Sequence, residues 1–99
     1  MKGYRILSNA ASDADIEAAF EWYESEQPGL GLEFLNEIRA THLRILDEPL
    51  KYAVLRSGIR RAITRRFPYG IYFSIEDDVV LIIAVLHTAR DPAEWQFRV

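Results

Sequence analysis

The sequence predicts an α+β fold: an N-terminal strand, then an antiparallel helix hairpin packed on a mainly antiparallel, twisted sheet. Two observations support this prediction. Apolar residues recur with the period of a helix in the first half of the chain and with the period of a strand in the second half. Short turns separate the predicted strands of the second half. Together these patterns give the element order β-α-α-β-β-β-β, which is typical of a helix layer on one sheet.

The first strand and the first helix are predicted before Pro28. Residues 4–8, YRILS, are typical of a short strand. Ser12 followed by Asp15 forms an S-x-x-D pattern, which predicts a helix N-terminus. The helix should end near Gln27, because proline disfavours helical backbone in the residue before it.

A second helix is predicted from about Leu32 to Leu46, and Pro49 closes it. The residues before it, PGLG at 28–31, predict a tight turn, and so short a link makes the two helices an antiparallel hairpin. The turn contains a G-x-G. It follows a helix, however, and Phe34 stands where a dinucleotide loop has its third glycine, so no phosphate-binding loop is predicted.

Four strands are predicted in the second half, and the turn residues between them predict an antiparallel meander. The last strand is apolar throughout, which indicates a central strand covered on both faces. The four stretches are YAVLR at 52–56, RRAITRRF at 60–67, YGIYFSIE at 69–76 and VVLIIAVLH at 79–87.

The composition limits the function classes. Ninety-nine residues predict a single domain, 1–99, and the absence of cysteine excludes disulfides and thiolate metal sites. Two histidines do not suggest a metal centre, so neither a metal nor a cofactor is predicted. No apolar run is long enough for a signal peptide or a membrane span, which suits a cytoplasmic protein.

Charge is unevenly distributed along the chain. Residues 1–48 hold 4 Lys/Arg and 10 Asp/Glu, whereas residues 49–99 hold 8 Lys/Arg and 5 Asp/Glu, for a net charge of −3. A general nucleic-acid binder usually has a clearly basic domain. The distribution therefore predicts two differently charged faces and not a nucleic-acid binder.

Four segments carry a resemblance to a known family. They are DIEAAFEWYE at 15–24, PGLGLEFLNEI at 28–38, GIRRAITRRFPYGIYFSIEDD at 58–78 and VLHTARDPAEW at 85–95. In this order and spacing they resemble the RelE/ParE superfamily of bacterial type II toxins, most closely its ParE-like branch of plasmid stabilisation proteins. The resemblance implies a cytoplasmic toxin that is neutralised by a cognate antitoxin in a hetero-oligomer.

The resemblance implies one of two targets, DNA gyrase for ParE-like members or ribosome-bound messenger RNA for RelE-like endoribonucleases, which need no metal. Arg90 corresponds to a catalytic arginine of the cutting members. Trp95 falls near their tyrosine, and Gly70 stands where they have another arginine. Tryptophan cannot donate a phenolic proton and glycine cannot hold a phosphate, so gyrase inhibition is the preferred function. An inactive module that binds only the antitoxin is a third possibility.

His87, Arg90 and Trp95 are the catalytic candidates if the ribonuclease alternative holds. Histidine is a suitable base near neutral pH, and arginine stabilises a charged phosphorane. A purely structural interpretation stays open, because Asp91 and Pro92 form a helix start without any chemistry. His42, on the apolar side of the second helix, is predicted to be structural.

Five arginines between residues 56 and 66 are candidates for binding the antitoxin or the target: Arg56, Arg60, Arg61, Arg65 and Arg66. Arg61 and Arg65 are predicted to share one strand face, from which both could bind one acidic partner. The alternative is a solvated strand edge whose charge prevents edge-to-edge pairing. Trp22 and Leu30 on the helix hairpin are predicted to border a groove for a partner helix.

Overall fold

The computed structural model describes residues 3–99, so Met1 and Lys2, where the predicted domain begins, lie outside it. A 3₁₀ turn spans Pro49–Lys51. The helices are α1 (Ala10–Glu26), α2 (Leu30–Asp47) and α3 (Ala93–Gln96), and the strands are β1 (Arg5–Ser8), β2 (Val54–Arg56), β3 (Ile59–Ile63), β4 (Tyr69–Glu76) and β5 (Val79–His87).

The strands form one five-stranded sheet in the order β1-β5-β4-β3-β2. Strand β1 pairs with β5 in parallel, and the other three pairs are antiparallel. The predicted α+β fold is confirmed. Strand β5 lies between β1 and β4, and most of its residues are buried, as its apolar sequence predicts.

The two faces of the sheet carry separate cores. The face that contacts α1 and α2 buries the larger core, in which the aromatic rings of Tyr23, Phe34 and Tyr69 pack with centroids 5.0–6.1 Å apart. The opposite face buries a smaller core, in which Trp95 of α3 stacks on Tyr72. Tyr72 alternates along β4 with Ile71 and Phe73 of the larger core, and α3 covers it.

Helix α1 begins three residues before the predicted start. Its N-cap is Asn9, whose side chain accepts a hydrogen bond from the Ser12 N–H at 2.8 Å, while Ser12 Oγ accepts one from the Asn9 N–H at 3.2 Å. Ser12 is therefore the third helical residue of a capping box and not the cap itself. The S-x-x-D interpretation is wrong because the reciprocal bond is made by Asn9.

The turn between α1 and α2 is organised by Glu24. Its carboxylate accepts hydrogen bonds from the backbone N–H groups of Gly29 and Gly31 at 3.0–3.1 Å, so it caps the start of α2. Gly29 has a φ of 91°, a left-handed conformation that favours glycine. A carboxylate from α1 thus takes the N–H groups that a phosphate would need, in agreement with the exclusion of a phosphate loop.

Strand β3 ends at Ile63, four residues before the predicted end. The Thr64 hydroxyl donates to the carbonyl oxygen of Phe67, and Phe67 has a φ of 68°, so residues 64–68 form a turn instead of extended strand. Arg65 lies in this turn, where its backbone N–H donates to the Glu37 carboxylate at 2.7 Å. The prediction that Arg61 and Arg65 share one strand face is therefore wrong.

Acidification should destabilise this fold through His42. Its Nε2 is buried without a hydrogen-bond partner within residues 3–99, and burial lowers its pKa below the ordinary 6.5. The unfolded chain binds a proton at His42 more readily than the folded chain does. The free energy of unfolding is therefore not reduced by this group above about pH 6.5, and it decreases as the pH falls below that value. We expect His42→Leu to lose less thermal stability than the wild type between about pH 7 and about pH 5. Equal losses in both proteins would contradict this role of His42.

Candidate functional site

An open groove of about 550 Å³ lies between α1 and the ends of β4 and β5. Ala14 and Ala18, one helical turn apart, leave room beside the strands because their side chains are small. Trp22, another turn along α1, is 58% exposed and borders the same space. We call this feature the α1–β5 groove. His87 and Arg90 line its other side, so the structure brings them together with Trp22.

His87 is held at the last position of β5. Its Nδ1 accepts a hydrogen bond from the Ala89 N–H at 3.0 Å, which leaves Nε2 as the nitrogen that can donate from the neutral ring. The imidazole also packs against the ring of Tyr69, with the centroids 5.4 Å apart. The ring is thus fixed by a turn and by an aromatic contact, and it can offer a hydrogen-bond donor to a molecule in the groove.

The rings of Tyr23 and Tyr69 lie side by side on the groove wall, with their centroids 6.1 Å apart. Burial raises the pKa of Tyr23, and burial followed by the neighbouring Tyr23 raises the pKa of Tyr69. Both hydroxyls therefore stay protonated at neutral pH. They can take part in hydrogen bonding but cannot serve as anionic bases there.

Arg90 is paired within the chain. Its Nε donates to Glu94 at 2.7 Å and its Nη2 bonds the second carboxylate oxygen, which makes a bidentate pair on an exposed surface. The hydrogen bond from Arg90 lowers the pKa of Glu94. Asp91 Oδ1 accepts from the Ala93 N–H at 2.9 Å, and the segment does start a helix, although α3 begins at Ala93, with Pro92 at the N-cap. A substrate phosphate would have to compete with Glu94 for the guanidinium.

Trp95 lies on the other face of the sheet. It is buried, and its ring stacks on Tyr72 with the centroids 5.2 Å apart. Arg61 and Gly70 are on this face too, and the Arg61 side chain crosses Gly70 so closely that a Cβ there would be 3.1 Å from Arg61 Cδ. The structure therefore separates Trp95 from His87 and Arg90, and these three candidates do not surround one reacting group.

The five candidate arginines do not form one surface. Arg56 bonds Gln96 of α3 at 3.3 Å, and Arg60 donates to two backbone carbonyls next to the 3₁₀ turn. Arg66 pairs with Glu33 of α2 at 2.5 Å. Within residues 3–99, the guanidinium groups of Arg61 and Arg65 make no hydrogen bond or ion pair, so these two cations are the ones available to a partner.

Leu30 and Trp22 have different surroundings. Leu30 is half-buried against the core on the helix side of the sheet, whereas Trp22 is exposed at the groove. The predicted groove thus involves Trp22 but not Leu30. Sequence patterns also missed Asp15 and Tyr69 as groove residues, because only the tertiary fold brings α1 next to the ends of β4 and β5.

No cluster of three or more His, Asp or Glu side chains in residues 3–99 is placed to hold a metal ion. Over the same residues, no helix combines the length and the apolar character needed to cross a membrane.

Comparison with known proteins gives the family. The family model described as "ParE toxin of type II toxin-antitoxin system, parDE" matches residues 6–92. A solved structure described as the chromosomal ParDE TA system from P. aeruginosa has a TM-score of 0.75 and 16% sequence identity to this chain, covering 85% of it and 95% of the other. No curated protein sequence matches. The structural likeness supports the fold and the family match spans most of the sequence, so the chain belongs to the ParE toxin family of type II toxin–antitoxin systems.

Proposed function

We propose that this ParE-family toxin acts in the cytoplasm by binding DNA gyrase, and that a cognate antitoxin neutralises it in a hetero-oligomer. The observation that carries the first part is the separation of the candidate catalytic groups. His87 and Arg90 line the α1–β5 groove, while Trp95 is buried on the opposite face of the sheet. A binding event needs no shared reaction centre, so this arrangement suits inhibition by contact.

The same geometry disfavours cleavage of RNA. Metal-independent cleavage needs a base, a cation and an acid around one phosphate. The Arg90 guanidinium is already paired with Glu94, and the Trp95 indole has no acidic proton to give to a leaving group. Within residues 3–99, no side-chain hydrogen bond joins any two of the candidates His87, Arg90 and Trp95.

The α1–β5 groove is the surface that we propose for the antitoxin. Its size suits a peptide segment, it is lined by alanines and aromatic rings, and Trp22 projects from its rim. Aromatic side chains that become buried on binding supply much of the affinity in protein interfaces. An antitoxin helix or extended segment with apolar residues facing α1 would cover Trp22 and the small side chains beside it.

Trp22→Ala should weaken the complex with the antitoxin by about tenfold, because truncation removes an anchor of the interface. The measurement is a calorimetric titration with the product of the small reading frame expected next to this gene. Leu32→Ala is the matched control, since Leu32 has nearly the same exposure, 59%, but lies on α2 away from the groove. Equal affinities for Trp22→Ala and the wild type would remove the groove from the antitoxin interface.

Charge reversal at Arg61 and at Arg65 shows which face of the sheet binds the acidic part of the antitoxin. Arg65 lies in the turn between β3 and β4. Phe67 of the same turn packs against Tyr23, which lines the groove. Arg61 lies on the opposite face. We expect Arg65→Glu to weaken antitoxin binding and Arg61→Glu to leave it nearly unchanged. The reverse order would place the antitoxin on the α3 side of the sheet.

A further inference from the structure

Strand β5 contains an irregularity at Ile83. Tyr72 pairs with Ala84 and Phe73 pairs with Ile82, so Ile83 has no counterpart on β4 and forms a bulge. On the other side of β5, the last pair with β1 joins Ser8 to Ile82. The bulge therefore begins where the strand also loses its parallel neighbour, and its backbone polar groups need other partners.

An ion pair supplies those partners. Asp15 of α1 accepts a hydrogen bond from the Val85 N–H at 2.9 Å, and the Arg98 guanidinium donates to the Ile83 carbonyl oxygen at 3.0 Å. The two side chains also bond each other twice, at 2.6 and 3.0 Å. One bidentate pair thus covers the open edge of β5 and joins segments that lie 83 residues apart.

This pair differs from the surface ion pairs of the molecule. The Asp15 and Arg98 side chains are 13% and 24% exposed, whereas those of Arg66 and Glu33 are 60% and 44% exposed. Exposed pairs contribute little to stability, but removing one partner of a shielded pair leaves an uncompensated charge and unpaired backbone groups. The Asp15–Arg98 pair is therefore a contact whose loss should loosen the last residues.

Residues 93–99 are placed by this contact. The segment covers the α3 face of the sheet with Trp95, and it leaves Phe97 88% exposed. Phe97 does not stand alone, because it lines an open pocket together with Ala93, Gln96 and Val99, which is 57% exposed. The backbone of the segment has few other long-range bonds, since its hydrogen bonds run mainly within residues 91–99. Its orientation thus depends on the packing of Trp95, on Arg98 and on the bond from Arg56 to Gln96.

We propose that Asp15 is a positioning residue: through Arg98 it docks segment 93–99 against the β5 bulge, and the docked segment is part of the surface that inhibits the target. The second half of this proposal rests on the proposed function. Its role is positioning and not direct contact with the target, since both of its carboxylate oxygens are already bonded within the chain.

Tryptophan fluorescence tests the docking. In a Trp22→Phe background Trp95 is the one remaining tryptophan, and its burial should give a blue-shifted emission that acrylamide quenches weakly. We expect Asp15→Asn and Arg98→Gln each to shift the emission to the red and to raise the quenching constant severalfold. Because both act through one contact, the double variant should change little more than either single variant.

Glu17→Gln is the control, since Glu17 is an exposed acid on the same helix and makes no ion pair within residues 3–99. Far-UV circular dichroism checks that the helices and the sheet remain. In a denaturant titration, the variants should expose Trp95 at a lower denaturant concentration than the one at which they lose their helical signal. If Trp95 exposure and loss of helical signal coincided in the variants, at the wild-type midpoint, segment 93–99 would not be docked by this pair. Unchanged quenching in Asp15→Asn and in Arg98→Gln would overturn the docking as well.

Inhibition of gyrase supercoiling by the same proteins tests the second half. We expect the wild type and Glu17→Gln to inhibit equally, and Asp15→Asn to need a severalfold higher concentration. If Asp15→Asn freed Trp95 but inhibited as the wild type does, the positioning role would be wrong. If the wild type did not inhibit gyrase, both the proposed target and the role of segment 93–99 in inhibition would be wrong. The quenching results would still show whether Asp15 and Arg98 dock the segment.

Discussion

Replacing Phe34 with alanine should lower the free energy of unfolding by about 3–5 kcal/mol. The ring is fully buried, and it lies between Tyr23, Phe67 and Tyr69 with centroid distances of 5.0–5.6 Å. Truncation would leave a cavity where α1, α2 and the β3–β4 turn meet. Since domains of this size have total stabilities of about 5–15 kcal/mol, the variant should be close to unfolding at physiological temperature.

Leu43→Ala is the control for this change. Leu43 lies on the same helix but is 62% exposed, so its truncation should cost less than about 0.5 kcal/mol. Urea unfolding followed by circular dichroism measures both variants. Similar midpoints for Phe34→Ala and Leu43→Ala would mean that the aromatic cluster is not the centre of the core.

Local sequence patterns predict the elements of this fold well but their boundaries poorly. The helical and strand periods identify the apolar faces, because burial imposes the same period on sequence and structure. The end of β3 depends instead on a single side-chain bond from Thr64 to Phe67 and on a left-handed residue. The start of α1 likewise depends on which of two neighbouring polar residues, Asn9 or Ser12, becomes the cap.

The candidate site was predictable only in part. His87 ends β5 and Arg90 follows three residues later, so their closeness in sequence predicts their closeness in space. Trp95 could not be assigned to a face, because the path of α3 after Asp91 is set by tertiary packing on Tyr72. The Asp15–Arg98 pair joins the two ends of the chain, and no local period indicates such a contact.

Arg90→Ala should reduce inhibition of gyrase by about 5- to 150-fold, the equivalent of about 1–3 kcal/mol of lost contact and local order. The variant loses the bidentate pair with Glu94 that fixes the start of α3. His87→Gln should have little effect, because glutamine retains hydrogen bonding at the end of β5. The measurement is the concentration of each variant that halves supercoiling by purified gyrase.

A ribonuclease would give the opposite pattern. If His87 acted as the base on a ribose hydroxyl, His87→Gln would slow cleavage by about 10²–10⁴-fold. Both variants would then lose codon-spaced cleavage of messenger RNA on programmed ribosomes. Supercoiling would not respond to either substitution, so the two assays on the same three proteins separate binding from catalysis.

The most direct test of inhibition by binding is a supercoiling assay with purified gyrase and the wild-type chain, with and without its antitoxin. We expect a concentration-dependent loss of supercoiling that added antitoxin relieves, and no cleavage of messenger RNA on programmed ribosomes by the same preparation. Intact supercoiling at saturating protein, together with ribosome-dependent cleavage that His87→Gln abolishes, would contradict inhibition by binding to gyrase.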